Sequence, residues 1–174
     1  MQVRILSEAP ISPRENMTKR TIFLDLDGVC ADFDAYYLHL FGAPAASHSD
    51  PVLWKNINDY GTFFRDLPVM TGALAFYTNL RELDYEPIVL TACPKTNYAD
   101  AARQKRAWAR EHIDEGIFVL PVLGGKNKAL FMHRPGDVLV DDFQKNIDAW
   151  IAEGGVGITH IDFPTTMRKI AGYL

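Results

Sequence analysis

Residues 21–29 read TIFLDLDGV, an apolar run that stops at two aspartates and a glycine. The β-branched and apolar residues before the first aspartate predict a short, buried strand. Asp25 and Asp27 are two positions apart, so on an extended backbone their side chains point the same way. Gly28 then permits the sharp turn that keeps the backbone close to a ligand. The stretch therefore predicts a strand that delivers two carboxylates to one end of a sheet.

The rest of the chain alternates short apolar runs with helical stretches. Further strands are predicted at 87–90, 117–120, 138–140 and 156–161, and helices from about 72, over 98–112 and up to Gly154-Gly155. This alternation predicts an α/β fold, a Rossmann-like three-layer parallel sheet flanked by helices. Helical spacing also predicts that Leu83 and Ile151 face the interior.

Residues 33–71 interrupt this alternation. They contain no convincing strand but many large apolar side chains, among them Tyr37, Trp54 and Phe63. We interpret the segment as a small helical cap inserted after the first strand. The chain then divides into a polar N-terminal lead-in (1–20), a core domain (21–32 and 72–174) and the cap (33–71). Such a cap would lie above the carboxyl ends of the strands, where open α/β sheets bind ligands.

Polar residues collect where the predicted strands stop. Asp25 ends the first strand, Thr91 the second and Asp141-Asp142 the fourth. Because the carboxyl ends of parallel strands meet at one edge, we expect four carboxylates, including Asp27, in one crevice. They would repel one another and lose hydration, and a bound divalent cation relieves both effects. An all-oxygen ligand set suits Mg²⁺, and no His/Cys set has zinc spacing.

Magnesium beside an aspartate nucleophile indicates phosphoryl transfer, in which positioning and charge stabilisation supply most of the catalysis. A lysine should help hold the transferring group. Lys126 and Lys128 both lie just before the last carboxylate-bearing strand. We favour Lys128, and the choice between the two stays open. Thr91 offers phosphate oxygens a hydroxyl donor and a backbone N–H.

The run FLDLDGV, then LTA at a strand end, then lysine, then VLVDD resembles the haloacid dehalogenase (HAD) superfamily of phosphohydrolases over about residues 20–162. The resemblance implies that Asp25 is the nucleophile and Asp27 the general acid and base. It implies that Thr91 and Lys128 hold the phosphate. The implied magnesium ligands are Asp25, Asp27 through its backbone carbonyl, and Asp142, with Asp141 in support.

Within that superfamily, DLDGVCADFD followed by a short helical insert resembles the 5′(3′)-deoxyribonucleotidase group and its phage and bacterial relatives. This closer resemblance implies that Phe33, eight positions after the nucleophile, lies against a nucleotide base. Trp54 would be a second aromatic wall. Two positions depart from the group: Phe143 stands where a basic residue is usual, and Ala92 where a serine is common.

Composition restricts the partners and the compartment. The 174 residues carry a net charge of −4, which gives no electrostatic footprint for duplex nucleic acid. No apolar run approaches the roughly 18 residues of a membrane span, and the N-terminus lacks a signal-peptide core. We therefore expect a cytoplasmic protein with Cys30 and Cys93 as reduced, buried thiols. The expected partner is a small phosphorylated substrate, a nucleoside monophosphate, and a homodimer is left open.

Three alternatives remain at this stage. The same chemistry would serve another phosphoester, either a polynucleotide 3′-phosphate, which the acidic net charge disfavours, or a sugar phosphate. A non-enzymatic phospho-receiver domain uses similar residues, but it places the acidic pair first and the lysine last, the reverse of the order here. An inactive phosphate-binding relative is the third alternative, and the presence of all four motifs argues against it.

Overall fold

A computed structural model of the chain describes residues 19–173. The strands are β1 (Ile22–Leu24), β2 (Ile88–Cys93), β3 (Val119–Leu123), β4 (Val138–Asp141) and β5 (Val156–Thr159). The helices are α1 (Phe33–Phe41), α2 (Asp50–Tyr60), α3 (Ala73–Glu82), α4 (Tyr98–His112), α5 (Gln144–Ala152) and α6 (Phe163–Ala171), with 3-10 helices at Ala45–Ser47 and Gly125–Phe131. The lead-in predicted at 1–20 lies almost wholly outside the described residues.

All five strands are parallel, in the order β3-β2-β1-β4-β5. β1 is central, and Leu24 pairs with Val89 of β2 and Val140 of β4. The backbone N–H of Asp25 continues the ladder by donating to the carbonyl of Val140 at 2.9 Å. The carboxyl ends of β2, β1 and β4 therefore lie side by side, as the parallel-sheet prediction requires.

Helices cover both faces of the sheet, so the fold has three layers: helices, sheet and helices. Ile22 and Leu24 of β1 join the apolar cluster that includes the inward residues of α3, α4 and α6. Phe23 points to the other face and packs with Ile147 and Trp150 of α5. The predicted α/β fold with a Rossmann-like parallel sheet is confirmed.

Several local predictions differ from the structure. β2 continues to Cys93, so Thr91 lies inside the strand rather than after it. α6 had no counterpart among the predicted helices. Leu83 follows the end of α3 and is 49% exposed, and Ile151 is 51% exposed rather than inward. β5 is the last strand of the sheet, so the flank of α5 that overhangs it, including Ile151, faces solvent.

The segment 33–71 is helical, as expected, with α1, a 3-10 helix and α2. Its aromatic rings pack mainly on one another: Phe63 lies 5.2 Å from Phe33 and 6.1 Å from Tyr37 between ring centroids. Tyr37 and Phe63 also belong to the apolar cluster that continues into the sheet. The division of the chain into core and cap stays a prediction.

Two smaller expectations can be compared with the structure. Cys30 and Cys93 are buried free thiols, as predicted. Between residues 19 and 173, the helices are too short or too polar to cross a membrane.

Candidate active site

Four carboxylates surround the carboxyl end of β1. Asp25 follows β1 directly, Asp141 is the last residue of β4, and Asp142 comes next. One carboxylate oxygen from each of these three side chains lies within 4.8 Å of the others. Asp27 lies on the loop after β1, where Gly28 has a φ of +76°. The sheet has thus brought together acids more than a hundred residues apart in the sequence.

Asp25 is buried at the centre of this group. Its Oδ1 accepts a hydrogen bond from the backbone N–H of Leu26 at 2.7 Å, and its Oδ2 lies 2.7 Å from Lys128 Nζ. Burial is the largest cause that raises the pKa of Asp25, Lys128 lowers it, and the charges of Asp141 and Asp27 raise it, with a net pKa of about 8. The charged form that a nucleophile needs is therefore disfavoured until more positive charge arrives.

Lys128 is fully buried between two of the acids. Its Nζ lies 2.7 Å from Asp25 Oδ2 and 2.6 Å from Asp141 Oδ2. Burial alone would lower the pKa of Lys128, but the two carboxylates outweigh burial and raise it. An ammonium has three N–H donors, and these are its two partners within residues 19–173, so one donor has no protein acceptor there. Lys126 is exposed on the rim of the cleft, so the geometry favours Lys128 as the phosphate ligand.

Asp141 is held on all sides by hydrogen bonds. Its Oδ1 accepts from the backbone N–H of Phe143 at 2.9 Å, and both of its oxygens accept from Asn146 Nδ2 at 3.1 Å. Oδ2 also accepts from Lys128. With its oxygens engaged in this way, Asp141 suits a supporting position better than direct metal ligation.

Asp142 suits direct ligation, because it lies at the open edge of the cluster. Its carboxyl group packs against the backbone of Gly28, where any added Cβ would overlap it. This desolvation, together with the charge of Asp141, raises the pKa of Asp142 to about 6. Only a glycine at position 28 allows this close approach of Asp142.

The residues present fit a magnesium ion. The cluster offers oxygen ligands alone, which is the donor set that Mg²⁺ prefers. Burial, and then the charges of neighbouring carboxylates, raise the pKa values of Asp25 and Asp142, so their charged forms lack compensating positive charge. A divalent cation would supply that charge.

A second buried lysine lies on the other side of the site. Lys105 of α4 donates from Nζ to Asp27 Oδ2 at 2.5 Å, to Thr91 Oγ1 at 3.1 Å and to the carbonyl of Ala92 at 2.6 Å. The same ammonium lies 4.5 Å from the centroid of the Phe64 ring. Lys105 therefore joins the predicted acid and base, Asp27, to the predicted phosphate ligand, Thr91.

A cleft opens between the carboxyl end of the sheet and the segment 33–71, lined by Asp25, Asp27 and Asp142, whereas Thr91 and Lys128 are fully buried and outside its lining. It consists of two adjoining cavities of about 450 Å³ and 650 Å³, within the usual range for small-molecule sites. Both cavities are lined by Asp27, Phe33, Trp54, Ala92 and Gly125. Phe33 and Trp54 thus form part of its wall, and Phe33 also belongs to the aromatic packing of the segment.

Comparison with known proteins gives a fold but no close relative. No protein-family model matches the sequence, and no curated protein is significantly similar to it. Solved structures do match. A hydrolase from Pseudomonas syringae superimposes with a TM-score of 0.52 at 13% identity, covering 86% of this chain and 90% of that one. A D,D-heptose 1,7-bisphosphate phosphatase from Burkholderia thailandensis gives 0.50 at 12% identity, covering 88% and 99%.

A protein from Thermotoga maritima assigned as a beta-phosphoglucomutase gives a TM-score of 0.51 at 13% identity, covering 83% of this chain and 87% of that one. The chain has a HAD-type Rossmann-like fold. At these identities the likeness concerns the HAD-type fold alone, so the chemistry must be argued from the side chains.

Sequence reasoning missed two members of this site, Lys105 and Asn146. Both are polar residues on helices that were predicted from their apolar positions alone, so neither was considered as a site residue. Lys105 is four positions after Ala101 and three before Trp108, on the buried face of α4. A charged residue in an apolar stripe is rarely buried without a partner, and that signal was available in the sequence. Asn146 is similarly buried beside Ile147 at the start of α5.

Proposed function

We propose that this chain is a magnesium-dependent phosphomonoesterase that works through an aspartyl-phosphate on Asp25. The observation that carries the proposal is the pairing of Asp25 with Lys128, whose remaining donor faces no protein acceptor within residues 19–173. A nucleophilic carboxylate and a cation for the transferring group then lie side by side. The chain also shares its fold with a D,D-heptose 1,7-bisphosphate phosphatase, which is compatible with this chemistry.

In the first step, a carboxylate oxygen of Asp25 attacks the phosphorus of the substrate, and the bond from phosphorus to the alcohol oxygen breaks. Lys128 and the hydroxyl of Thr91 stabilise the equatorial oxygens. Asp27, in its acid form, gives its proton to the departing alcohol oxygen. Magnesium, held by Asp25, Asp142 and the backbone carbonyl of Asp27, would supply positive charge beside the phosphoryl oxygens.

In the second step, Asp27 acts as a base. It takes a proton from a water molecule whose oxygen attacks the phosphorus of the aspartyl-phosphate. The bond between phosphorus and the Asp25 oxygen breaks, which releases inorganic phosphate and restores the carboxylate. Asp27 ends the cycle protonated, ready for the next alcohol.

We propose a nucleoside monophosphate as the substrate. The support is the wall formed by Phe33 and Trp54, because a flat base stacks on aromatic rings for about 1–3 kcal/mol per base. A cleft of about 650 Å³ beside Asp27 has room for a nucleoside. The segment 33–71 would then act as the cap that covers the substrate, and the protein would work in the cytoplasm.

A second candidate is a longer substrate, such as an oligonucleotide with a 3′-phosphate. The observation that favours it is the extension of the cleft to either side of Trp54. Lys95 lines one cavity, and Lys126 and Lys145 line the other. These exposed lysines could contact further phosphates of a single strand.

The test is phosphate release from nucleoside monophosphates, sugar phosphates and a 3′-phosphorylated oligonucleotide, with magnesium and with a chelator. We expect magnesium-dependent release that is fastest with nucleoside monophosphates. Phe33→Ala should raise KM for them about 10-fold or more, as lost stacking implies, and leave a sugar phosphate unaffected. Phe41→Ala, in the same aromatic group but outside the cleft lining, is the control for packing. Release from none of the esters would reject the proposal.

A further inference from the structure

We propose that Lys105 is a positioning residue for the acid and base of the reaction: it fixes the carboxylate of Asp27 in place and leaves the phosphate to Lys128. The inference rests on the proposed function and assigns a residue that the sequence motifs do not include. It begins from burial, because a lysine that is 1% exposed must have its charge and donors satisfied within the protein.

The donors of Lys105 are all engaged. Its three N–H groups meet three acceptors: Asp27 Oδ2 at 2.5 Å, Thr91 Oγ1 at 3.1 Å and the Ala92 carbonyl at 2.6 Å. Lys128, by contrast, has two partners in the described chain and one donor left. The two buried lysines are therefore not equivalent. Lys128 is able to bind a phosphoryl oxygen, whereas Lys105 would first have to release a protein partner.

The contact to Asp27 distinguishes the two oxygens of that carboxylate. Oδ2 accepts from Lys105, while Oδ1 is buried and has no hydrogen-bond partner within residues 19–173. Lys105 thus anchors Oδ2 and holds the plane of the carboxylate, and Oδ1 keeps no competing protein partner among the described residues.

The contact to Thr91 works in the same way. The oxygen of Thr91 accepts from Lys105, so its own hydroxyl hydrogen is left to point elsewhere. That hydrogen is the donor proposed for the phosphate. One ammonium therefore orients two groups, one on the loop after β1 and the other inside β2.

Lys105 itself is held rigidly. Its stem lies on the buried face of α4, and the ring of Phe64 lies 4.5 Å from its Nζ. Nearby, Trp108 Nε1 of the same helix donates to the carbonyl of Leu67 at 2.7 Å. These contacts keep water from Lys105 and fix α4 against the chain that follows α2, so the position of Nζ is set by packing.

The test compares two substrates that differ in their need for an acid. The nucleoside released from a nucleoside monophosphate would depart as an alkoxide and must be protonated. The p-nitrophenol released from p-nitrophenyl phosphate departs as a stabilised phenolate. In Lys105→Met we expect kcat/KM for the nucleotide to fall about 100-fold or more, as loss of general acid catalysis implies, and for p-nitrophenyl phosphate to fall less than about 10-fold. Asp27→Asn should show the same selective loss in the step that forms the aspartyl-phosphate.

Lys128→Met is the matched control, because a lost phosphate ligand should slow both substrates equally. Lys105→Gln, which keeps an N–H donor without the charge, serves if Lys105→Met does not fold, and it should show the same selectivity. Equal losses on both substrates, or no loss on either, in a folded Lys105 variant would overturn the inference while leaving the phosphatase intact. A wild-type protein inactive on both substrates would reject the proposed function and the inference with it.

Discussion

Asp25 occupies a place that disfavours its own charge. Burial raises its pKa from 3.8 to about 8, so in metal-free protein the folded state holds a proton that the unfolded chain releases. A group whose pKa is higher in the folded state stabilises the fold fully at pH values below its unfolded-state pKa. This contribution is lost as the pH rises through the folded-state pKa. The stability contributed by this group therefore declines between the two pKa values, as Asp25 is forced to ionise.

This argument predicts the effect of Asp25→Asn in a chelating buffer. The variant has no charge to bury, so its melting temperature should exceed that of the wild type, by more at about pH 9 than at about pH 6. Thermal unfolding followed by circular dichroism at both pH values measures the difference. If the difference in melting temperature between the variant and the wild type does not increase with pH, Asp25 is already ionised throughout this range.

Single residues also mark what the sequence could predict. Asp25, Thr91 and the acidic pair were found because each ends an apolar run, and that pattern is local. Lys105 was missed because its partners are Asp27 and Thr91, whose proximity arises only when strands distant in sequence pair. The motifs thus predicted which groups meet at the site, and three-dimensional packing determined which groups orient them.

The loop after β1 is the element on which the geometry of the site depends most closely. Gly28 has a φ of +76°, and a Cβ there would overlap the carboxylate of Asp142. Gly42, which ends α1, has a similar φ of +71° but open space around it. The two glycines separate the effect of backbone conformation from the effect of crowding.

We expect Gly42→Ala to lower the free energy of unfolding by about 1–2 kcal/mol, the usual penalty for a left-handed residue, with activity unchanged. Gly28→Ala should lower it by more and also weaken magnesium binding, because Asp142 must move. Denaturant titration and magnesium-dependent activity of both variants give the comparison. A Gly28→Ala variant with normal magnesium dependence would show that the approach of Asp142 is dispensable.

Element predictions succeeded where periodicity and burial agree. The strands were found as short apolar runs, and α4 was found because its apolar positions recur on one helical face. The wrong predictions concern the ends and edges of elements. β2 is longer than its apolar run, Leu83 follows the end of α3, and Ile151 is exposed beside the edge strand β5. Such ends depend on neighbouring elements, which a linear pattern does not contain.

The whole molecule brings its carboxylates together by strand order. β1 lies between β2 and β4, so three strand ends from distant parts of the chain meet. The alternation of strands and helices predicted this layout, and the structure confirms the parallel sheet. An ion bound at this meeting point would bind only the folded state, because the unfolded chain scatters its ligands.

Binding to the folded state alone predicts that magnesium stabilises the protein. At about 100 times the dissociation constant the gain is about 2.7 kcal/mol, seen as a higher melting temperature. Asp142→Asn should remove most of the gain, whereas Asp34→Asn, an exposed acid lining the same cavity, should keep it. Equal shifts in both variants would place the ion elsewhere.

The central claim is that phosphate passes through a covalent bond to Asp25. The most direct measurement is to quench a reaction during turnover with magnesium, reduce the protein with borohydride and map the product by peptide mass spectrometry. Borohydride converts an acyl phosphate to an alcohol, so the proposed mechanism predicts that mass change at Asp25, absent without magnesium and absent in Asp25→Asn. Active protein with no reduced aspartate, or with the change at another residue, would contradict it.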